Sequence, residues 1–190
     1  GVDWDPVVKD VLRKLAQALR LAVEEKRKTR GDDIVIADEY MVNVGGERRT
    51  LRATVSETMQ LGDLSLLSGD IPGMDRFNSR GWIILLTDEQ KAFWVNLKLF
   101  HAVDRQKAAH PVLYVADRYV TPALRGNNIG EQLSKVAEDI ARANQCKWIF
   151  GKQVPEDPRD LNRLTQGKDR AGYTIEKRDD GIVLAKKKLS

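Results

Sequence analysis

The N-terminal part of the chain repeats its hydrophobic residues at steps of three and four positions. This is the period of a helix with one apolar face. Pro6 fits the first turn of such a helix, where a proline costs no intrahelical hydrogen bond. The pattern predicts one long amphipathic helix within residues 1–30, whose apolar face is formed by Val8, Leu12, Leu15, Leu19 and Val23.

Residues 33–55 change to an alternation of apolar and polar positions. Gly45 and Gly46 interrupt the alternation with a turn, so the stretch predicts a β-hairpin. Residues 56–81 mix Gly, Pro, Asp and Ser at short intervals and predict a loop with at most one short helix. We expect exposed or half-exposed apolar side chains of this loop to contact a bound acceptor molecule, namely Met59, Met74 and Phe77.

The hydrophobic pattern sharpens after residue 81. The runs WIILLT at 82–87 and AFWVNLKLFHAV at 92–103 flank the turn DEQK and predict two antiparallel strands. The run PVLYVADRYV at 111–120 predicts a further strand. These segments predict the centre of an antiparallel sheet.

The last third of the chain alternates helical and strand patterns. A helix is predicted for 131–144, a strand for 146–154 and a second helix for 158–171. Residues 172–189 predict a closing hairpin around Asp179, Asp180 and Gly181. The whole order predicts a mixed α/β fold, with a mainly antiparallel central sheet, flanking helices and one strand–helix–strand crossover.

Composition narrows the class of protein. The chain has 190 residues, of which 42% are hydrophobic and 32% charged, and no apolar run approaches the length of a membrane span. We therefore expect no membrane partner, and one domain covering residues 1–190. The N-terminus lacks the pattern of a secretory signal, and the single cysteine fits a reducing compartment, so we expect a cytoplasmic protein.

The charge balance and the reactive residues exclude several chemistries. Lys and Arg total 32 against 28 Asp and Glu, and the two signs are interspersed, which permits nucleic-acid binding without indicating it. His101 and His110 lack companions at metal-ligand spacing, so we expect no metal site. Cys146 has no nearby His and is interpreted as a small buried hydrophobe.

The turn ALRGNNIGE at 123–131 separates the predicted strand 111–120 from the predicted helix 131–144. The first amides of a helix lack intrahelical acceptors and carry the positive end of the helix dipole. A polar glycine turn at such a place suits an anion. The alternative is a helix start that needs Gly or Asn for backbone geometry alone.

The run VTPALRGNNIGEQL at 120–133 resembles motif A of the Gcn5-related N-acetyltransferases (GNATs). In that motif an Arg or Gln is followed by two free positions, a Gly, one free position and a Gly or Ala. The order of elements from about residue 81 to the C-terminus also agrees with the family. The resemblance implies a single GNAT-like domain with residues 81–190 as its core, and Asn128 stands in place of the family's first Gly.

The resemblance implies a binding site for acetyl-CoA, used as co-substrate. The loop amides would face the pyrophosphate, and the end of the preceding strand would contact the acetyl and pantetheine groups. Asn162 lies within one residue of a family asparagine that contacts the cofactor; its alternative role is helix capping. The implied cofactor residues are Tyr119, Val120, Arg125, Gly126, Asn127, Asn128, Ile129, Gly130 and Asn162.

The resemblance also implies a candidate for the acid. Many members place a Tyr four residues before the Gly of a Gly-Phe-like pair, where it can protonate the leaving thiolate. Here the pair is Gly172 and Tyr173, and Lys168 occupies the earlier position. Lys168 is therefore a catalytic candidate, and its alternative is a solvated surface lysine.

A candidate for the base follows from the same comparison. Some members use a Glu six residues before the valine that matches Val120, and this chain has Tyr114 there. Alternation along a strand predicts that Tyr114 shares a face with Ala116, Arg118 and Val120. Asp117, on the opposite face, is a second candidate and would require the site to lie on that side of the sheet. Tyr114 is a catalytic candidate whose alternative is a core tyrosine.

Two functions from different classes fit these residues. The first is an N-acetyltransferase that moves acetyl from acetyl-CoA directly to an amine of a protein or small molecule. The second is a catalytically lapsed GNAT-fold module for binding or structure, which Asn128 and Lys168 in place of Gly and Tyr would suggest. The sequence favours the enzyme.

Overall fold

The computed structural model describes residues 4–28, 34–58, 69–153 and 171–189 and the single positions 159, 162 and 166. The chain divides into two compact units, Gly1–Val35 and Ile36–Ser190. The expectation of one domain over the full length stays a prediction.

The first unit contains the helix α1, Asp5–Lys28. Pro6 lies in its first turn, as the sequence predicted. Asp10 pairs with Lys14 and Arg13 one turn further on, and these hydrogen bonds lower the pKa of the Asp10 carboxyl. The helix predicted within residues 1–30 is confirmed.

The second unit contains an eight-stranded sheet with the spatial order β1-β2-β3-β4-β5-β6-β8-β7. One long helix, α2, connects β5 to β6. The elements are β1 Glu39–Val44, β2 Glu47–Thr58, β3 Met74–Thr87, β4 Phe93–Asp104, β5 Ala109–Val120, α2 Ile129–Ala143, β6 Trp148–Gln153, β7 Thr174–Lys177 and β8 Val183–Lys188.

The pairing directions confirm the predicted mixed α/β class. The strands from β1 to β5 pair antiparallel, as do β6 with β8 and β7 with β8. Only β5 with β6 is parallel among the described pairs, because α2 carries the chain back across the sheet. The predicted closing hairpin is also confirmed.

The predicted first hairpin is confirmed, and its turn is where the sequence placed it. Val44 pairs with Glu47, and Gly45 and Gly46 adopt positive φ angles of 57° and 88°. The strand itself starts only at Glu39, so the apolar residues at 34–36 precede it.

The prediction of a loop over residues 56–81 is wrong at both ends. β2 continues to Thr58 and β3 begins at Met74, because cross-strand pairing extends beyond the region of clean alternation. Met74 is buried rather than exposed, and Phe77 is half-buried against the same apolar cluster. Met59 lies outside the described residues.

The sheet buries apolar side chains on both faces. α2 covers one face with its apolar side, which includes Leu133, Val136 and Ile140. The other face carries an aromatic cluster. In it Phe150 lies 6.1 Å from Phe100 edge to face, and the cluster also contains Ile71, Met74, Ala102, Val112 and Tyr114.

A buried ion pair joins residue 70 to the closing hairpin. Arg178 donates to the Asp70 carboxylate at 2.9 Å, and both side chains are at least nine-tenths buried. The Lys186 ammonium adds a 3.1 Å hydrogen bond to the Asp70 carbonyl. These contacts connect the segment before β3 to the closing hairpin. Asp70 and Arg178 are 108 positions apart in the sequence.

We expect Asp70→Asn to lower the free energy of unfolding by about 2 kcal/mol, because it removes the buried one of the two carboxylates that pair with Arg178 and leaves only the exposed Asp180 carboxylate. Urea unfolding measures this change. The matched control is Glu57→Gln, which breaks the exposed cross-strand pair with Arg80 and should cost less than about 1 kcal/mol. Equal losses in the two variants would contradict the structural role given to Asp70.

Candidate functional site

One extra residue in β5 decides which side chains face which side of the sheet. Asn96 pairs with Asp117 and Leu97 pairs with Val115, so Ala116 has no partner in β4. This is a β-bulge, and it shifts the alternation of every later side chain by one position. Paired residues share a face, so Arg118 lies with Val115 on the α2 side.

The bulge makes two sequence predictions wrong. Arg118 and Val120 do not share a face with Tyr114, and Asp117 does, because the extra residue reverses the alternation after Ala116. The contacts agree with this assignment. The Tyr119 ring stacks on Trp94, which faces away from α2, with 5.8 Å between centroids.

β5 and β6 separate just beyond the bulge. Their pairing ends at Val115 with Gly151, after which β6 continues to pair only with β8, and β5 continues beside β4 to Val120. A cavity of about 200 Å³ fills the gap, which we call the splay cavity. Its lining includes Ala116, Asp117, Arg118, Ser134, Lys152 and Tyr173.

The turn after β5 holds two left-handed residues. Gly126 has φ 91°, and Asn128 has φ 63° and ψ 20°. The sequence expectation that Asn128 tolerates an unusual backbone angle is confirmed. Its exposed side chain makes no capping hydrogen bond to any described residue, so its contribution is the backbone conformation that starts α2.

The start of α2 leaves amides without intrahelical acceptors. The first helical hydrogen bond is from the Gln132 amide to the Asn128 carbonyl at 3.2 Å, and residues 129–131 precede it. A surface depression of about 310 Å³ lies against these amides. The dipole of a 15-residue helix adds positive potential there.

Most of the implied cofactor residues lie together at this depression. Its lining consists of Val120, Leu124, Arg125, Gly126, Asn128, Ile129, Gly130 and Glu131. Asn127 instead closes the turn, because its side-chain amide donates to the Leu124 carbonyl at 2.9 Å. Arg125 donates to the Val120 carbonyl at 3.2 Å, which holds the guanidinium near the strand end.

Two further residues that the resemblance implied, Tyr119 and Asn162, are not part of the lining of the depression. Tyr119 lies on the opposite face of the sheet, stacked on Trp94. Asn162 is helical and exposed, and Arg159 and Gln166, described near it, are helical as well. Lys168 lies outside the described residues.

Sequence reasoning missed a tether between α2 and the first hairpin. The Gln132 side chain accepts from the Asn43 amide at 2.7 Å and donates to the Asn43 carbonyl at 2.8 Å. This pairs the outer edge of β1 with the first turn of α2. The two residues are 89 positions apart, and a lone glutamine carries no signal for such a contact.

Sequence reasoning also missed the groups that line the α2 side of the splay cavity. Arg118 donates to the Gly130 carbonyl at 2.9 Å and to the Ser134 hydroxyl at 2.6 Å. Tyr173 is buried, and burial together with the nearby Glu138 carboxylate raises the pKa of its hydroxyl. Tyr173 is therefore protonated at neutral pH.

Tyr114 lies on the opposite face of the sheet from Arg118, next to the lining residues Phe150 and Lys152. Its ring stacks on Phe150 with centroids 5.2 Å apart, and the Lys152 ammonium lies 5.8 Å from the ring centroid. Burial, and then the Asp117 carboxylate, raise the pKa of the Tyr114 hydroxyl. A phenol in this state can donate a proton at neutral pH and is a poor base.

Cysteine and possible metal ligands are the remaining reactive groups of the described residues. Cys146 is 2% exposed, and burial raises the pKa of its thiol to about 12, which confirms its interpretation as a buried hydrophobe. Within the described ranges, no three His, Cys, Asp or Glu side chains lie close enough to hold a metal ion. None of the described helices has the length and apolar character required to cross a bilayer.

Comparison with known proteins finds similarity in structure only. No protein-family model matches the chain, and no curated relative does. The GNAT domain of S. lividans PAT matches 83% of this chain and 100% of its own, with 14% identity and a TM-score of 0.47. The alignment with an acetyltransferase of the GNAT family from Listeria monocytogenes covers 79% of this chain and 100% of that protein, with 14% identity and a TM-score of 0.46.

A third structure was determined with CoA. The PaiA N-acetyltransferase from Thermoplasma acidophilum matches 56% of this chain and 61% of its own, with 16% identity and a TM-score of 0.42. At these identities and scores the similarity concerns the fold alone. The strand order and the single crossover of this chain agree with the order of elements that the resemblance predicted. The chain has a mixed α/β fold with this order of elements.

The segment that resembles motif A occupies the end of β5, the turn and the first turn of α2. The first turn of α2 also contains an acidic residue, Glu131, which the comparison with motif A did not single out. A carboxylate in the first turn stabilises the helix dipole, yet it stands beside the depression and would repel a second anion. Any anion bound by the amides of the turn must avoid the Glu131 side chain.

The left-handed angle at position 128 gives a test of the turn itself. We expect Asn128→Leu to lower the free energy of unfolding by about 1 kcal/mol, because a side chain unsuited to this region is forced into it. Asn128→Gly should be equal to the natural protein or more stable, since glycine adopts the angle freely. Thermal unfolding of the three proteins measures the order, and a Leu variant as stable as the Gly variant would contradict the assigned conformation.

Proposed function

We propose that this chain is an N-acetyltransferase that moves the acetyl group of acetyl-CoA directly to an amine. The observation that carries the proposal is the position of two features on one strand. The splay cavity begins at the bulge of β5, and the amides of the turn lie just beyond the end of the same strand. In this proposal an extended thioester arm runs along residues 116–120 between them.

We propose that the turn holds the pyrophosphate of the cofactor. The amides of residues 126–131 supply donors and the positive end of a helix dipole, which is the usual physical basis of phosphate binding. Arg125 adds a cation at the rim, and the backbone of Tyr119 and Val120 supplies contacts for the pantetheine arm. Asn162 stays a candidate contact by resemblance alone.

The proposed transfer needs two proton movements. The amine attacks the thioester carbonyl, a C–N bond forms, the C–S bond breaks, the amine loses a proton and the thiolate gains one. Tyr114 is protonated at neutral pH. It therefore suits the role of proton donor to the thiolate, and not the role of base that the resemblance implied. Lys168 remains the alternative donor.

We propose Asp117 as the group that takes the proton from the amine. The bulge turns its carboxylate to the same face as Tyr114, at the lining of the splay cavity. One carboxylate oxygen accepts from the Arg118 amide at 2.8 Å, and the other oxygen is available to a base function. The acceptor is an amine of a protein or a small molecule, and the single cysteine supports a cytoplasmic setting.

A lapsed, non-catalytic GNAT-fold module is the second candidate. The observation that favours it is the same 2.8 Å hydrogen bond, because it occupies the Arg118 amide next to the cavity. A strand amide that is already satisfied cannot polarise a thioester carbonyl. Such a module would either bind the cofactor without catalysing transfer or not bind the cofactor at all.

The binding step is tested with the natural protein, Asn128→Gly and Asn128→Leu. If the amides of the turn hold the pyrophosphate, the Gly variant should bind CoA as well as or better than the natural protein, and the Leu variant should lose binding. The reason is that the branched side chain distorts the turn and crowds the phosphate. Isothermal titration calorimetry measures the affinities.

The control for backbone strain is Gly181→Leu. Gly181 has φ 85° with open space around it, in the turn between β7 and β8, so leucine there strains the chain at a position that does not line the depression. Its affinity for CoA should be unchanged. No binding of CoA by any of these proteins would overturn the cofactor proposal.

The catalytic step is tested with Asp117→Asn. Asparagine keeps an oxygen for the Arg118 amide and removes only the charge, so CoA affinity should hold while kcat/KM falls about a hundredfold or more. Release of free CoA from acetyl-CoA in the presence of a panel of amines measures turnover. Asp139→Asn, on the exposed side of α2, is the control, and a few-fold effect at Asp117 would remove it as the base.

A further inference from the structure

The Arg118 guanidinium is held in a fixed orientation at the splay cavity. One of its terminal nitrogens donates to both the Gly130 carbonyl and the Ser134 hydroxyl, at 2.9 and 2.6 Å. The guanidinium carbon would lie 3.5 Å from a Cβ built on Gly130, so the group packs directly against the first turn of α2. A planar guanidinium anchored at one nitrogen presents its other N–H groups in a defined direction.

The charge of Arg118 is not neutralised by the protein. Among residues 4–28, 34–58, 69–153 and 171–189, no carboxylate lies within 4.0 Å of its guanidinium. The side chain as a whole stays exposed, yet desolvation of the guanidinium lowers its pKa. A cation that is partly desolvated and faces a cavity is favourable where it meets an anion.

The rest of the lining is divided between the two faces of the sheet. Lys152 lies near the Tyr114 ring on the face opposite α2, which also carries Asp117, the one carboxylate of the lining. The Asp117 carboxylate accepts from the backbone amide of Arg118. On the α2 side Arg118 is the charged side chain of the lining, and Ser134 and Tyr173 add hydroxyl groups.

We propose that Arg118 selects an acyl group that ends in a carboxylate. This inference rests on the proposed function and names the acyl class for that site. The guanidinium pairs with the terminal carboxylate through the N–H groups not used by Gly130 and Ser134. The transfer chemistry is unchanged, since the thioester carbon still leaves sulfur for the amine nitrogen and the carboxylate takes no part in bond making.

Succinyl-CoA and butyryl-CoA are suitable probes, because their acyl chains have equal numbers of carbon atoms and differ in the terminal carboxylate. We expect the natural protein to bind succinyl-CoA about tenfold or more tightly than butyryl-CoA, the size of one charge-assisted hydrogen bond. Arg118→Met should abolish this preference, and Arg118→Lys should keep part of it. Calorimetry with CoA, butyryl-CoA and succinyl-CoA measures all three affinities for each protein.

Two controls separate selection from structure and from general charge. Arg105→Met removes one exposed cation in the turn between β4 and β5 and should keep the preference. Ser134→Ala removes one anchor of the guanidinium and should reduce the preference while leaving CoA affinity unchanged. The melting temperature of Arg118→Met shows whether that variant folds. If it does not fold, Ser134→Ala and Arg118→Lys test the preference in its place.

Several results would overturn the inference. Equal affinity of the natural protein for the two acyl-CoA compounds would remove carboxylate selection while leaving the proposed cofactor site intact. A uniform loss for all three compounds in Arg118→Met would assign the residue to the pyrophosphate instead. Failure of the natural protein to bind CoA itself would overturn the proposed function, and the inference with it.

Discussion

The bulge at Ala116 is the constraint on which the site depends. One unpaired residue in β5 turns Asp117 toward Tyr114 and Arg118 toward α2, and it lies next to the last paired residues of β5 and β6. Without it, a regular strand would place Asp117 on the α2 side of the sheet. The bulge therefore sets both the opening of the splay cavity and the charge on each of its sides.

Polar contacts between distant elements then fix the start of α2. Gln132 pairs with the edge of β1, and Arg118 bonds the carbonyl of Gly130 from β5. Both contacts act on the first turn of the helix, where the free amides are. The geometry of an anion site at a helix start depends on such tethers, because the turn has few apolar contacts of its own.

The features that could be predicted from the sequence have local causes. The period of the apolar residues predicted α1 and α2, and the paired glycines predicted the turn of the first hairpin. The tolerance of asparagine for positive φ predicted the backbone angle at Asn128. The bulge could not be predicted, because residues 112–116 are all apolar and the next two are both charged, so the sequence does not indicate where the alternation of faces shifts. The contact of Gln132 with Asn43 spans 89 positions, and no local pattern encodes it. The resemblance to motif A indicated the turn but not the charged lining of the cavity.

The central claim is that the amides at the start of α2 bind the diphosphate of CoA while its arm follows β5. Amide chemical shifts recorded by NMR during titration with CoA test this most directly. The account predicts that the largest changes fall on residues 126–131, with smaller changes along 116–120 of the strand. Saturable binding whose shift changes cluster elsewhere in the sheet, or no changes at all, would contradict it.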